Sequence, residues 1–339
     1  MNKILEKYDT LIFDMDGVVT SENEYCDAAA LTVYEYLSDE RYFGNGNIDV
    51  LSLSYDVKNI RRMVFSDDKL IVLLKGKGVN SNWDLGYITV LMSLILDTTD
   101  YNEIYKYAER IDEDIFLVYD NFAKLASEQM SVPYEEYCRN SKLWCDMRDC
   151  FQEWYLGDGM FREAYGRPPS RPNKPGLYKK EMPITTIDEL RTITAELSAT
   201  KRLGIATGRL NREIIPLLHR WSIFADFDET ALCTYDYVIT AEADTGATLT
   251  KPHPYMFLKA LYGVCYDDKK IINGDYDKSK IDRTLVIGDA GADILAAKAM
   301  GADFCAVLTG VAGQGGRAYF VEQKAEYIFN DIKELIQGE

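Results

Sequence analysis

The 339-residue sequence predicts an α/β protein whose parallel sheet is interrupted, after its first strand, by a long and mainly helical segment. Two observations predict it. Short apolar runs at residues 10–13, 203–206 and 284–288 each end in an acidic or hydroxyl residue with a glycine nearby, as strands of a parallel sheet do where sites are built. The second of these runs arrives only at Leu203, and the chain before it reads as helices.

The first strand, residues 10–13, leads straight into Asp14-Met15-Asp16-Gly17. Two carboxylates with one residue between them suit phosphoryl transfer. One can attack phosphorus and hold the group as an acyl phosphate, while the other gives and later takes back a proton. Two carboxylates and a phosphate repel one another, so a hard cation is implied. Mg²⁺ suits this set, because it takes oxygen ligands and accepts one or two carboxylates beside a substrate phosphate. Gly17 lets the chain turn close to a ligand. The plain alternative is a strand-end turn, since Asp and Gly are common there. A calcium loop fits poorly, because its glycine follows three spaced ligands.

The helical segment follows. Ser21 or Asn23 starts a helix over 25–37, and Ser81 or Asn82 caps one over 83–96. Residues 120–130 and 134–155 read as two more. Residues 150–160 mix Gln152, Trp154, Tyr155 and Asp158, which read as helix core in preference to a substrate-facing surface. Residues 161–183 carry Arg162, Arg167, Arg171, Lys174, Lys179 and Lys180 against Glu163 and Glu181, with five prolines. This reads as a semi-rigid basic surface linker. The alternative is a segment that supplies cations over a cleft entrance. Thr186-Ile187-Asp188-Glu189 has the form of a capping box and starts a helix to about residue 199.

The strand at 203–206 runs into Thr207-Gly208-Arg209, with a helix opening near Leu210. A hydroxyl and fresh N–H groups at a helix start make a phosphate cradle, or else a helix N-cap. Residues 237–240 look strand-like. Lys251-Pro252-His253-Pro254 follows, ahead of a helix over 255–261. A lysine with a restricted backbone can steady a carboxylate and a phosphate oxygen together; the alternative is a surface lysine. His253, between two prolines, is not taken as a base, and His219 lies near a helix end.

The strand at 284–288 ends in Asp289, followed by Asp293 in the first turn of a helix over 294–300, which Gly301 caps. Asp289 can reach a metal directly. Asp293 is a ligand, a supporting partner or an ordinary dipole partner. Residues 304–308 make the next strand. The glycine-rich 310–316 reads as a mobile loop that opens no helix, not as a dinucleotide fingerprint.

In this order the motifs resemble those of the haloacid dehalogenase superfamily, closest to its phosphoglycolate phosphatase and β-phosphoglucomutase-like branch. Residues 14–20 resemble its first motif, Thr207-Gly208-Arg209 its second, Lys251-Pro252 its third, and Gly288-Asp289 with Asp293 its fourth. The resemblance implies a Rossmann-like core from residues 1–17 and 184–339, with a helical cap domain inserted at 18–183. It implies Asp14 as nucleophile and metal ligand, and Asp16 as acid/base that meets Mg²⁺ through its carbonyl. Thr207, Gly208, Arg209 and Lys251 would bind phosphate, Asp289 would ligate Mg²⁺, and Asp293 would support or join it. Dehalogenating members lack an acid two residues after the nucleophile. Asp16 is present here, so phosphoryl transfer is the expectation. The insert is much longer than the family's usual caps, which weakens any substrate inference. The rival readings are a sugar phosphomutase and a non-catalytic binding module.

Composition sets outer bounds. A net charge of −17 disfavours nucleic acid as a partner. It also requires local cations to hold an anionic substrate. Seven cysteines without Cys-x-x-Cys spacing argue against zinc or a disulfide framework. The apolar stretch 85–96 is too short to span a bilayer, and nothing resembles a signal peptide. The expectation is a cytoplasmic enzyme acting on a small phosphorylated metabolite, with no membrane partner.

Overall fold

The structure, a computed structural model, describes residues 2–79, 81–112 and 115–337. The chain divides into two compact units, one made of Met1–Glu22 with Met182–Glu339, the other of Asn23–Glu181.

The first unit holds a six-stranded parallel sheet in the order β3-β2-β1-β4-β5-β6. The strands are β1 (Thr10–Phe13), β2 (Arg202–Ala206), β3 (Leu232–Cys233), β4 (Thr284–Gly288), β5 (Asp303–Val307) and β6 (Tyr327–Phe329). Every residue of β1 and β4 is buried, which is why these strands read as unbroken apolar runs without alternation. β1 is central, with Phe13 opposite Ile205 on one side and Ile287 on the other. The chain steps from β1 to β2 to β3 in one direction, then crosses back to place β4 on the other side of β1. That reversal leaves a crevice beyond the carboxyl ends of β1 and β4, where ligands bind in open α/β sheets.

Local chemistry explains the helices that cover the sheet. Thr186 caps the helix Ile187–Ser198, and the Glu189 carboxylate accepts from the Thr186 N–H at 2.9 Å, completing the capping box. His253 Nδ1 accepts from the Tyr255 N–H at 3.1 Å and so opens the helix Tyr255–Tyr262; this is its observed task. His219 stacks on Phe224 in the last turn of the helix Asn211–Arg220. Tyr255, Phe257 and Leu258 pack with Ile12, Val286 and Ile294 into the core.

Three sequence expectations need correction. Residues 237–240 are not a strand but part of the helix Tyr235–Thr245. Val238 and Ala241, three apart, are its buried face, so a helical period overrides the β-branched local signal. The glycine-rich stretch forms a 3₁₀ turn at Gly313–Gly316 and does open a helix, Arg317–Glu322. The helix expected over 134–155 is instead a short turn, Tyr134–Glu136, and a helix Lys142–Tyr165. The break falls at Asn140, whose φ of 68° is left-handed, and at Ser141, whose hydroxyl caps the new helix.

The second unit is helical. Its long helices are Asn23–Ser38, Asn82–Leu96, Ile115–Met130 and Lys142–Tyr165. Sequence periodicity did not place the shorter ones, Val50–Tyr55, Val57–Val64, Lys69–Gly76 and Tyr101–Ala108. Trp154 and Tyr155 are core, as read from the sequence. The segment expected to be a basic surface linker is exposed at Arg162, Arg167, Lys179 and Lys180 but is anchored from within at Lys174. The Lys174 side chain is fully buried, with its ammonium 2.9 Å from Glu35 and 2.8 Å from Glu153. Arg171 pairs with Asp39, and Arg167 with Asp149. The acidic partners Glu35 and Asp39 come from and just beyond the unit's first helix, so no local reading connects them to the basic run. No helix is long and apolar enough to cross a membrane among the described residues.

Candidate active site

Asp14 is the first residue past β1, and its N–H donates to the Ile287 carbonyl of β4 at 2.9 Å. The loop after it is wound tightly. The N–H groups of Val18, Val19 and Thr20 all converge on the Met15 carbonyl, at 3.3, 2.8 and 2.8 Å. Thr20 then forms a bridge with Pro183, and the Ile184 N–H donates to the Val19 carbonyl at 2.9 Å. The segment leaving the sheet is thus pinned to the segment returning to it.

Four of the residues singled out in the sequence meet here. Lys251 Nζ lies 2.9 Å from Asp14 Oδ1 and 2.8 Å from Asp293 Oδ1. Its side chain is 4% exposed, and the ammonium also sits 4.8 Å above the Phe257 ring. Asp14, Asp289 and Asp293 offer carboxylate oxygens that all lie within 4.8 Å of one another. Asp293 is itself anchored, since its Oδ2 accepts from the Ala290 N–H at 3.2 Å at the start of the helix Gly291–Met300.

Asp289 is set by two glycines. Gly17 has φ of 72°, and a Cβ there would fall inside the Asp289 carboxylate and 2.9 Å from the Gly310 Cα. A Cβ on Gly310 would overlap the same carboxylate. Thr309 ties the two loops together, its hydroxyl donating to the Gly17 carbonyl at 2.5 Å. Thr309, Gly310 and Thr20 were not picked out as site residues from the sequence. The glycine run at 310–316 was the available signal for Gly310. Thr20 fell within the first motif without a role of its own, and nothing local marked Thr309.

Thr207 follows β2, with its side chain buried and its Oγ1 accepting from the Arg209 N–H at 3.2 Å. Gly208 is exposed. The Arg209 guanidinium turns to Asp16. Its Nε lies 2.9 Å from Oδ1 and 3.0 Å from Oδ2, and its Nη2 contacts Oδ1. The Thr20 hydroxyl is 3.0 Å from the same Oδ1.

The electrostatics follow from this crowding. Burial pushes the Asp14 carboxyl up to about 7; Lys251 opposes the rise, while Asp293 and Asp16 add to it. Burial works against the charge of Lys251, but Asp14 and Asp293 outweigh it and hold its pKa above the ordinary lysine range. If all are ionised, Asp14, Asp289 and Asp293 carry three negative charges against one positive on Lys251. A divalent cation would balance that sum. The donors are all oxygens, and the Asp289 carboxylate lies against two glycines where any Cβ would collide with it, so the residues fit a hard cation.

A family model described as HAD-hydrolase-like matches residues 248–335, the stretch that carries Lys251, Asp289 and Asp293. A structural-genomics X-ray structure is similar over 97% of each chain, at 27% identity and a TM-score of 0.73. The phosphatase Tt82 from Thermococcus thioreducens aligns over 87% of this chain and 90% of its own, at 19% identity and a TM-score of 0.50, a likeness of fold. No curated protein matches the chain.

Proposed function

We propose, from the premise that this chain is a haloacid dehalogenase-like hydrolase, that it removes a phosphoryl group from a small phosphorylated metabolite with the help of Mg²⁺. The observation that supports this most is the single ammonium of Lys251 shared between Asp14 and Asp293, beside Asp289.

Asp14 Oδ attacks phosphorus, and the bond to the leaving oxygen breaks as Asp16 gives that oxygen its proton. Water then attacks the aspartyl phosphate and passes a proton back to Asp16, which restores both carboxyl groups. Thr207 and Gly208 would hold the phosphoryl oxygens. Lys251 offsets charge that gathers on Asp14 and the transferring group. Asp14, Asp289 and the Asp16 main-chain carbonyl would hold Mg²⁺, with Asp293 in support. When bound, the ion would draw charge from the phosphoryl oxygens and keep Asp14 ionised. The gain comes mainly from positioning and charge stabilisation, as in phosphoryl transfer generally.

The direct test is a phosphate-release screen over a broad panel of phosphorylated metabolites, with Mg²⁺ or with chelator. Release from no member of the panel would sink the proposal. An isomerised sugar phosphate without free phosphate would point instead to a mutase.

The cation site has its own readout. Mg²⁺ should raise the thermal unfolding temperature, and raise it more at pH 8 than at pH 6, where protons compete for Asp14. Asp289→Asn should remove that shift. Gly310→Ala should remove it too, because the new methyl displaces the Asp289 carboxylate. Calorimetry showing an undiminished Mg²⁺ shift in both variants would place the ion elsewhere.

A further inference from the structure

The family resemblance casts Arg209 as a phosphate ligand, but its side chain is 1% exposed and its guanidinium is committed to another carboxylate. Nε bridges both oxygens of Asp16, Nη2 contacts Oδ1, and Nη2 also reaches the Thr20 hydroxyl at 3.3 Å. That hydroxyl lies 3.0 Å from both Asp16 Oδ1 and the Met15 carbonyl, around which the catalytic loop is wound. A hydroxyl has one proton to donate and lone pairs to accept with, so Thr20 can take a bond from Arg209 while giving one to either oxygen. Arg209 is also fixed at its backbone. Its N–H donates to Thr207 Oγ1 at 3.2 Å, and its carbonyl accepts from the Tyr235 N–H at 2.9 Å. The guanidinium is therefore presented to Asp16 by a main chain held at both ends.

We propose that Arg209, with Thr20, is the positioning residue of the Asp16 acid/base and does not bind the substrate phosphate. This rests on the phosphatase reading and assigns a task within it. A planar fork fixes the orientation of a carboxylate as well as its place, which an ammonium does not. Proton transfer needs that orientation, because the leaving oxygen must meet the carboxyl within hydrogen-bond reach. The fork also favours the carboxylate that remains once the proton has left. Its contact strengthens as the leaving bond breaks, which is the kind of interaction that speeds the chemical step. The step balances: the carboxyl loses its proton to the leaving oxygen, then regains one from water.

The proposal predicts a leaving-group signature. With phenyl phosphate, whose leaving group needs a proton, Arg209→Gln should lower kcat by roughly 10²-fold, the cost of a misplaced catalytic group. With p-nitrophenyl phosphate, whose leaving group departs unaided, the loss in kcat should be clearly smaller, confined to the water step that Asp16 also serves. KM and inhibition by inorganic phosphate should stay near wild type for both. Arg209→Lys should show the same split, because it restores charge without the fork. Equal losses on both esters, with weaker inhibition by phosphate, would make Arg209 a phosphate ligand and overturn the proposal. Equal losses with unchanged inhibition and a lower unfolding temperature would make it merely structural. Full activity of Arg209→Lys would remove the fork from the argument. If Arg209→Gln does not fold, a crystal structure of the wild-type protein with Mg²⁺ and tungstate decides. The guanidinium remaining on Asp16 supports the proposal, and its transfer to a tungstate oxygen overturns it. Wild-type protein inert toward both esters would sink the phosphatase reading, whereas an active wild type without the split sinks this proposal alone.

Discussion

Asp14→Asn is expected to reduce Mg²⁺-dependent phosphate release by more than about 10⁴-fold, the scale of loss when a catalytic nucleophile is removed. Its fold should survive. Asn keeps the shape of Asp and can still accept a hydrogen bond from Lys251. Stability should be unchanged or slightly raised at pH 8 in the absence of metal. The reason is the sign of the Asp14 shift. A carboxyl raised to about 7 in the fold, above its unfolded value near 3.8, favours the folded state at low pH. That favour is lost as pH rises from the unfolded value through 7. Above pH 7 the ionised Asp14 is a burden in the metal-free protein, and Asn does not carry it. Phosphate assay and thermal unfolding on the same preparation check both halves. Activity that survives the substitution would remove the nucleophile from the proposed mechanism.

Lys251→Met should be the most damaging change to stability. It keeps much of the volume but leaves Asp14 and Asp293 facing each other without their shared cation. Breaking a buried pair from one side costs about 3 kcal/mol or more when the remaining charge cannot escape. Here Asp14 has an escape, since its side chain is 13% exposed and its carboxyl can take a proton. The cost should therefore depend on pH. Without Lys251 the Asp14 pKa rises further above about 7, so variant and wild type differ most at pH above 7. The loss in unfolding temperature should be clearly greater at pH 8.5 than at pH 5.5. Activity should fall as well, because the charge on Asp14 and the phosphoryl group would lose its counterweight. A pH-independent loss would mean that Lys251 acts by packing, against Phe257 for instance, more than by charge.

The pattern of legible and illegible features has a physical basis. β1, β2 and β4 were readable because a strand buried on both faces must be apolar throughout. The polar residues that end such runs stand out by contrast, and so Asp14, Thr207 and Asp289 were visible as strand-end positions. The Thr186 capping box was readable because both partners lie within one turn. β3 was misplaced into residues 237–240 because a strand of two residues, Leu232–Cys233, carries almost no periodic signal.

The sequence by itself determined the α/β class, the parallel sheet, the long helical interruption and which carboxylates stand at strand ends. Each depends on neighbours a few residues apart, where hydrophobic period and turn chemistry act. Only the tertiary structure decided which partner each charge takes. Arg209 meets Asp16 across 193 positions, and Lys174 meets Glu153 across 21 and Glu35 from further away still. Gly310 makes room for Asp289 because two loops from adjacent strands close on one another. Charges attract without regard to sequence order, so pairing is settled by where the fold brings them and how little water remains between them.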